Sequence, residues 1–431
     1  MKRRWLVFAL LIGVLAFVAA GCGGDDDGGG AEGSEDVSGE VSIMAIWAGE
    51  EQESFEAVIA GFEEAYPNVD VTYNSGGDNL GPLLSTAVEG GNPPDLAAIG
   101  QPGLMADFAE QGVLQPIDDL RDTIVEGLGE SVADVGAVEG TQYGVMYKGA
   151  NKSTIWYNVA AFEEAGVEPP ETWEDLSAAA DTIKAAGVTP YSVGVDVGWP
   201  ITDIFENVYL RSAGPEMYDQ LARHEIAWTD QSVKDALGIM AEIFASDNMA
   251  GGTEGALQTE MPDSVAKVFT DSPEAAMVII GDFAPGVTET TLEPETGYNV
   301  FDFPSIEGSE PAVMGAGDIF LKFTENPASD AFLEYLTTVE AAEIWAERGG
   351  FTSPHQDIDV SVYPDEITRA TAGALSEAEA FKFDMSDLQP AAFGGTPGQG
   401  MWKHLTDFVA NPDDIDGTAE KLEADAVNAF G

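Results

Sequence analysis

Apolar residues near the start of the chain change from a strand-like spacing to a helical spacing and back again. The segment Val41–Gly49 alternates as a buried strand does. From Phe55 to Tyr66 the apolar residues recur every three or four positions, and Pro67 ends the helix that this spacing predicts. Val69–Tyr73 then alternates again. A strand, a helix and a strand in this order form the βαβ unit of a doubly wound sheet, so the pattern predicts an α/β fold.

The same alternation resumes along the rest of the chain. An apolar run at Asp95–Gly100 predicts a buried strand, and the helix after it ends near Gly112. Further on, Thr172 is placed to cap a helix with Asp175, and Gly187 follows the end of that helix. The segment TPYSVGV returns to a strand pattern. Two α/β lobes are the simplest arrangement that accommodates so many repeats of the unit.

The N-terminus has the pattern of an export signal. Basic residues at Lys2–Arg4 precede an apolar run, Trp5–Ala20, that is shorter than the about 20 residues of a membrane-spanning helix, which predicts a cleaved signal peptide at 1–21. The only cysteine, Cys22, follows in the string VAAGC, which resembles a lipobox but also suits an ordinary signal peptidase. Residues 22–40 are acidic and rich in Gly, which predicts a flexible tether. We therefore expect an extracytoplasmic protein, anchored to the outer face of the cell membrane through lipidated Cys22.

The chain is strongly acidic, with 77 Asp and Glu against 17 Lys and Arg and a formal net charge of -60. A field of that sign repels phosphate backbones and anionic lipid, which excludes nucleic acid and anionic ligands as partners. Most of these carboxylates are expected on a solvated surface. Because Cys22 belongs to the signal region, disulfides, thiol nucleophiles and cysteine metal sites are excluded as well.

Sequence patterns of catalysis are absent. The chain has no GxSxG elbow, no P-loop and no HExxH pair, and its three histidines, His224, His355 and His404, are not spaced as metal ligands. We therefore predict no catalytic residue, no metal and no cofactor. Two alternatives stay open. A secreted glycoside hydrolase needs only two suitably spaced carboxylates, and acidic residues in a cleft also suit a cationic solute such as a polyamine.

A family resemblance is carried by short strings that follow one another in family order from about Val41 to Phe408. The strings are GFEEAYPNVDV (61–71), NPPDL (92–96), EQGVLQPIDDL (110–120), YGVMYKGANKSTIWYN (143–158), FEEAGVEPPETWEDL (162–176), VGWPITD (197–203), LRSAGPEMYD (210–219), GAGDIF (315–320), GGFTSPH (349–355) and FKFDMSDLQPAAFG (381–394). On these strings the chain resembles the family 1 extracellular solute-binding proteins of ABC importers, the group that contains maltose-binding protein. Among them it is most similar to the members that bind alpha-glucosides and related carbohydrates.

The resemblance implies a periplasmic-binding-protein-like fold, in which two α/β lobes joined by crossing strands hold the ligand between them. It places the first lobe at 41–147 plus 313–352 and the second at 148–312 plus 353–431. The implied function is the extracytoplasmic binding component of an ABC carbohydrate importer. Such a component closes on a neutral sugar, here an alpha-glucoside or other oligosaccharide, and delivers it to the permease subunits in the membrane. The resemblance implies a monomer that is not an enzyme.

A sugar presents an apolar ring face and an edge of hydroxyl groups, so its site needs aromatic rings flanked by carboxylates and amides. The turn after the first strand offers Trp47, which also fits the core, together with Glu50 and Glu51. Trp199 and Asp203 are predicted in a loop after a strand. The resemblance implies ligand contacts at Gln101, Trp199, Asp203, Asp282, Phe283, Asp318 and Trp402. The tryptophans predicted in cores are Trp156, Trp173 and Trp345.

Overall fold

The structure is a computed structural model that describes residues 37–377 and 380–431. The predicted signal peptide, Cys22 and most of the tether therefore lie outside the described residues. The strands are β1 Gly39–Ala45, β2 Val69–Ser75, β3 Leu96–Ile99, β4 Ala137–Val138, β5 Thr141–Gln142, β6 Gly144–Asn151, β7 Thr154–Asn158, β8 Thr189–Ser192, β9 Ala275–Ile279, β10 Tyr298–Asp302, β11 Val313–Lys322 and β12 Phe381–Phe383. The helices are α1 Glu50–Ala65, α2 Leu80–Glu89, α3 Pro102–Glu110, α4 Arg121–Leu128, α5 Glu130–Val135, α6 Val159–Ala165, α7 Trp173–Ala186, α8 Trp199–Ala213, α9 Pro215–Ala222, α10 Gln231–Met240, α11 Gly252–Ala256, α12 Met261–Ala266, α13 Pro327–Leu336, α14 Val339–Ala346, α15 Glu366–Glu377, α16 Met385–Leu388, α17 Ala391–Gly394, α18 Gly400–Ala410 and α19 Ile415–Phe430. None of the helices in these ranges combines the length and the apolar character needed to cross a membrane.

The first sheet has six strands, in the order β12-β11-β3-β1-β2 with β6 also paired to β11. Strand β1 runs parallel to β2 and β3, whereas β11 runs antiparallel to β3 and β6. Helix α1 connects β1 to β2 and buries Phe55, Val58 and Phe62. The predicted strand, helix and strand are confirmed, and α1 ends just before Pro67.

The second sheet has four strands in the order β10-β7-β9-β8, with β8 parallel to β9 and β7 antiparallel to it. Helix α7 precedes β8 and has the predicted ends. The backbone N–H of Asp175 donates to Thr172 Oγ1 at 3.2 Å, and Gly187 after the last turn has a φ of 97°. A glycine accepts this left-handed conformation without steric cost. The α/β class predicted from the sequence is confirmed in both sheets.

Each sheet has a core of its own, and we call each sheet with the helices packed on it a lobe. Phe320 lies in the first-lobe core and Phe205 in the second-lobe core. The chain passes between the lobes where β6 leads into β7. There the backbone N–H of Lys152 donates to the carbonyl of Met314, and that of Phe303 donates to the carbonyl of Ser153, both at 2.9 Å. These two hydrogen bonds connect the segments that cross between the lobes.

The segment after residue 352 packs in both lobes. Tyr363 lies in the first-lobe core, whereas Phe408 lies in the second-lobe core. Strand β12 pairs with the first residues of β11, while the last residues of β11 pair with β3. The long β11 thus ties this segment, assigned from the sequence to the second lobe, to the first sheet. The boundaries after residues 147, 312 and 352 remain predictions.

The predicted loop at Trp199 and Asp203 is wrong. Trp199 is the first residue of α8, and Asp203 lies one turn further along the same helix. Gly198 takes the N-cap position with a φ of 111°, and Pro200 stands in the first turn, where its missing N–H costs no helical hydrogen bond. A glycine two positions before a proline is typical of a helix start as well as of a loop, and here a helix begins.

Candidate ligand-binding cleft

A cavity lies between the two lobes, and its wall combines aromatic rings with carboxylates and lysines. Strand β6 contributes Lys148, and the crossover between β6 and β7 contributes Lys152. The other polar and aromatic groups of the wall are Trp47, Glu51, Asp78, Gln101 and Asp318 from the first lobe, and Trp199, Phe283, Asp387 and Trp402 from the second. Apolar surface beside a few placed polar groups is the usual lining of a small-molecule site.

Lys148 is the cation of the first-lobe wall. It lies on β6, and its Nζ forms an ion pair with Glu51 at the start of α1. Asp318 on β11 faces the same ammonium group and accepts a hydrogen bond from Trp47 Nε1 at 2.7 Å. Burial by itself lowers the pKa of Lys148, but Glu51 and Asp318 raise that pKa above its ordinary value. Lys148 is therefore charged at neutral pH, although its side chain is only 4% exposed.

Lys152 is the cation of the second-lobe wall, and it contacts three carboxylates. Its Nζ lies 2.6 Å from Asp384 Oδ2, 3.1 Å from Asp203 Oδ1 and 3.7 Å from Asp387 Oδ2. Helix α8 supplies Asp203, while Asp384 caps α16 and accepts a further hydrogen bond from Ser386 Oγ at 2.8 Å. Only Asp387 of the three carboxylates lines the cavity.

These three carboxylates share a single positive charge, that of Lys152, so their pKa values shift in opposite directions. Burial raises the pKa of Asp203 to about 8, although Lys152 acts in the opposite direction. Burial and the neighbouring Asp384 raise the pKa of Asp387, and of Glu206 one turn along α8 from Asp203, well above the ordinary value. Burial acts on Asp384 too, but Lys152 lowers its pKa below the ordinary value. Asp384 is thus the anion that balances Lys152 at neutral pH.

Aromatic rings approach both lysines. Lys148 Nζ lies 5.5 Å from the centroid of the Phe283 ring and 5.1 Å from that of Trp345. Lys152 Nζ lies 5.2 Å from the centroid of Trp199. All three distances fall within the about 6 Å over which a ring face attracts a cation. Each lysine is therefore held by carboxylates and by ring faces together.

Hydrogen bonds connect the two walls of the cavity. Trp199 Nε1, on the second-lobe wall, donates to Asp78 Oδ1 of the first lobe at 3.0 Å. Asp78 lies in the short 3-10 helix Gly77–Asn79. Gln101 Nε2, at the start of α3, donates to the carbonyl of Gly395 at 3.3 Å. The lobes are thus in contact around the cavity.

Comparison with known proteins identifies the family. The family model of the bacterial extracellular solute-binding protein matches residues 48–343. An osmoprotective compounds-binding protein of Synechocystis sp. is 36% identical over 395 residues, which cover 90% of this chain and 92% of that protein. The chain belongs to the bacterial extracellular solute-binding proteins. The family consists of substrate-binding rather than catalytic proteins, and it acts outside the cytoplasm.

Another relative and a solved structure agree with this assignment. The alpha-glucosides-binding periplasmic protein of Rhizobium meliloti is 31% identical over 401 residues, which cover 89% of this chain and 86% of that protein. The crystal structure of the bacterial solute receptor AcbH superimposes with a TM-score of 0.81 at 20% identity and covers 91% of this chain and 99% of that one. The predicted two-lobed, periplasmic-binding-protein-like fold is confirmed.

Most residues predicted to contact a ligand lie together in the cavity wall. These are Trp47, Glu51, Gln101, Trp199, Phe283, Asp318 and Trp402. Trp47 is only 1% exposed, and its ring packs against Phe55 and Trp345 in the first-lobe core. It is therefore a core residue, the alternative that the sequence also allowed. Trp402 on α18 is 5% exposed and also packs in the second-lobe core. Contact of any of these residues with a ligand remains a prediction.

Three of the predicted residues lie outside the cavity wall. Glu50 is the exposed first residue of α1 and belongs to a separate hollow beside Arg348. Asp203 points to Lys152 behind the wall. Asp282 accepts a hydrogen bond from Thr352 Oγ1 at 2.6 Å, and burial raises its pKa to about 6. Of the three tryptophans predicted in cores, Trp156, Trp173 and Trp345, all are buried.

Sequence reasoning missed Lys148, Lys152, Asp78 and Asp387. A signal for the lysines exists, because they are the only charged residues in the segment 143–158. Lysine is almost never fully buried unless it is paired, so two lysines in a buried strand region indicate buried carboxylate partners. Asp78 has no such signal, since its partner Trp199 lies 121 positions away in the chain.

Proposed function

We propose that this chain is the extracytoplasmic substrate-binding component of an ABC carbohydrate importer and that it binds a neutral, hydroxyl-rich solute between its two lobes. The cavity wall carries the proposal, because aromatic rings on one lobe face carboxylate and amide groups on the other. Trp199, Phe283 and Trp402 offer apolar surface for the faces of a sugar ring. Asp78 and Gln101 offer acceptors and donors for its hydroxyl groups.

The relatives support a carbohydrate as the substrate class. The alpha-glucosides-binding relative aligns over 89% of this chain and 86% of its own length. The Synechocystis relative binds osmoprotective compounds, and its 36% identity favours a small osmoprotective solute as a second candidate. Both candidates are small solutes that a closed cleft between lobes can surround.

Binding is proposed to act by lobe closure. A ligand shifts the equilibrium between the open and closed forms only if it binds one of them more tightly. Groups on both walls contact the ligand only when the lobes are together, so the closed form binds it more tightly. The closed complex would then dock on the permease subunits in the membrane. We further propose that the protein works as a monomer without catalytic activity, and that neither a glycoside hydrolase reaction nor polyamine binding is its function.

A thermal-shift panel tests the proposal. The purified protein is melted with maltose, trehalose, sucrose, sorbitol, glycine betaine and spermidine, since a ligand of the folded state raises the melting temperature by mass action. We expect a rise of several degrees with at least one neutral compound, and no release of reducing sugar above a buffer blank. Steady hydrolysis, or a shift with spermidine alone, would reject the proposal.

We propose that Cys22 anchors the protein in the membrane through an attached lipid. The cysteine follows the apolar signal run and precedes the acidic tether, which is the order of a lipoprotein signal. Cys22→Ala should move the protein from the membrane fraction to the soluble fraction of the native host. A wild-type protein that is already soluble there contradicts the anchor and leaves the binding function untouched.

A further inference from the structure

We propose that Lys148 makes the cleft reject cationic solutes, because its ammonium group already occupies the place that a ligand cation would take. The inference rests on the proposed function in that it concerns the same cleft. It states that a residue of the cleft wall determines which solutes are excluded, and it does not name another ligand.

The cleft wall otherwise has the chemistry of a cation site. Glu51 and Asp318 present carboxylates from the first lobe, and Phe283 presents a ring face from the second. Carboxylates next to aromatic faces attract quaternary ammonium groups and polyamines. The net charge of -60 adds a long-range field that draws cations toward the protein. A neutral sugar would therefore compete with every cation in its surroundings.

Lys148 occupies the groups that would hold such a cation. Its Nζ pairs with Glu51, faces Asp318, and lies 5.5 Å from the Phe283 centroid and 5.1 Å from the Trp345 centroid. An incoming ammonium group would have to share these partners with a buried like charge. Repulsion between like charges at such distances is strong where little water separates them. A neutral hydroxyl group, in contrast, meets no such repulsion from Lys148.

Lys152 also repels cations from the ring of Trp199, but its main role is to neutralise buried carboxylates of the second lobe. Its Nζ lies 5.2 Å from the Trp199 centroid, so this ring also has a resident cation. However, Lys152 contacts three carboxylates, two of which, Asp203 and Asp384, are at most 1% exposed. Its removal would leave buried charge unbalanced within the second lobe. Lys148 is therefore the position at which selectivity can be tested in a folded protein.

The test compares choline and spermidine binding to wild type and to Lys148→Met by titration calorimetry at pH 7.5 and 150 mM salt. Methionine keeps an unbranched apolar stem and removes the charge. Lys148→Arg keeps the charge, and Lys421→Met removes an exposed lysine that pairs with Asp414 at 3.6 Å on the second lobe, outside the cavity wall. We expect choline to bind Lys148→Met at least about tenfold more tightly than it binds the other three proteins.

Each outcome decides the inference. Wild type that binds choline or spermidine as tightly as its best neutral sugar overturns it, as does a folded Lys148→Met that gains no affinity for either cation. If Lys148→Met does not fold, the double variant Glu51→Gln, Lys148→Met removes both charges of the pair and takes its place, with Asp318 left to attract the cation. A Lys148→Met variant that gains cation affinity while no protein binds a neutral compound supports the inference and contradicts the proposed function.

Discussion

Two lysines that stand four positions apart in the chain, Lys148 and Lys152, lie in two different electrostatic settings. Lys148 is part of the first-lobe wall, next to Glu51 and Asp318, both of which line the cavity. Lys152 extends into the second lobe, where Asp203, Asp384 and Asp387 surround it. Both lysines line the cavity, but only Lys152 also contacts carboxylates in the interior of the second lobe.

The difference between the two regions lies in the balance of charge. In the second lobe Asp203, Asp384 and Asp387 outnumber the one lysine they contact, and burial raises the pKa of Asp203, Asp387 and Glu206. That region links the stability of the fold to pH. In the first-lobe wall the lysine sits between a carboxylate pair and ring faces, which sets the polarity that a solute meets. We therefore expect the second-lobe region to affect the stability of the fold most, and we propose that the first-lobe wall affects which solute binds.

The largest expected effect is that of Lys152→Met on stability. Removing the cation from a buried pair leaves uncompensated charge, and we expect the free energy of unfolding at pH 7 to fall by about 3–5 kcal/mol. Lys148→Met should cost less, because Glu51 keeps 14% side-chain exposure and can be reached by water. Denaturant unfolding measures both, with the exposed Lys421→Met as the control, expected within about 0.5 kcal/mol of wild type. Equal losses of unfolding free energy in Lys148→Met and Lys152→Met would show that the two regions do not differ in their effect on stability.

The next effect separates a cleft aromatic from a core aromatic. Trp199→Ala removes a partly exposed ring of the cavity wall, and sugar affinity should fall by about 2–4 kcal/mol, or roughly 30-fold to 1000-fold. Trp156→Ala, a fully buried second-lobe tryptophan, should instead lower the melting temperature and leave the affinity of the folded fraction unchanged. Calorimetry with the best ligand and a thermal melt distinguish the two. Trp402→Ala should lower both quantities, because Trp402 lines the cavity and packs in the core. Unchanged affinity in Trp199→Ala and Trp402→Ala would show that the ligand binds elsewhere.

The pH dependence of stability is the third expected effect. Because burial raises the pKa of Asp203 from 3.8 to about 8, the folded state holds a proton that the unfolded state releases. The stabilisation is present below pH 4 and is lost as the pH rises toward 8, at about 1.4 kcal/mol per pH unit for one proton.

Asp203→Asn should reduce this slope between pH 5 and 8, as measured by denaturant unfolding at each pH. The control is Asp181→Asn on α7, whose side chain is 83% exposed, and it should keep the wild-type slope. Parallel curves for wild type and Asp203→Asn would mean that Asp203 is ionised in the folded protein.

The smallest expected effect concerns the hydrogen bond between the walls. Trp199→Phe keeps a ring and loses the donor to Asp78, which should lower sugar affinity by about 1 kcal/mol, or roughly fivefold. Trp173→Phe is the matched control, since Trp173 Nε1 donates to Glu242 at 3.0 Å within the second lobe and connects no walls. A Trp173→Phe loss as large as that of Trp199→Phe would assign the effect to general destabilisation.

Local sequence signals predicted the parts of the fold that depend on local contacts. The unit from β1 to β2 follows from spacing alone, and α7 follows from Thr172 and Gly187 at its ends. At Gly198 the local signal was ambiguous, and the helix start was missed. Contacts between distant segments had no local signal. Glu51 meets Lys148 across 97 positions and Trp199 meets Asp78 across 121, and both contacts depend on how the crossing strands bring the lobes together.

A crystal structure of the wild-type protein with the neutral compound that gives the largest thermal shift tests the central claim most directly. The account predicts the sugar between the lobes, with its ring faces against Trp199, Phe283 or Trp402 and its hydroxyl groups near Asp78 and Gln101, while Lys148 keeps its pair with Glu51. A sugar bound outside this cavity, or held by one lobe alone, would contradict it.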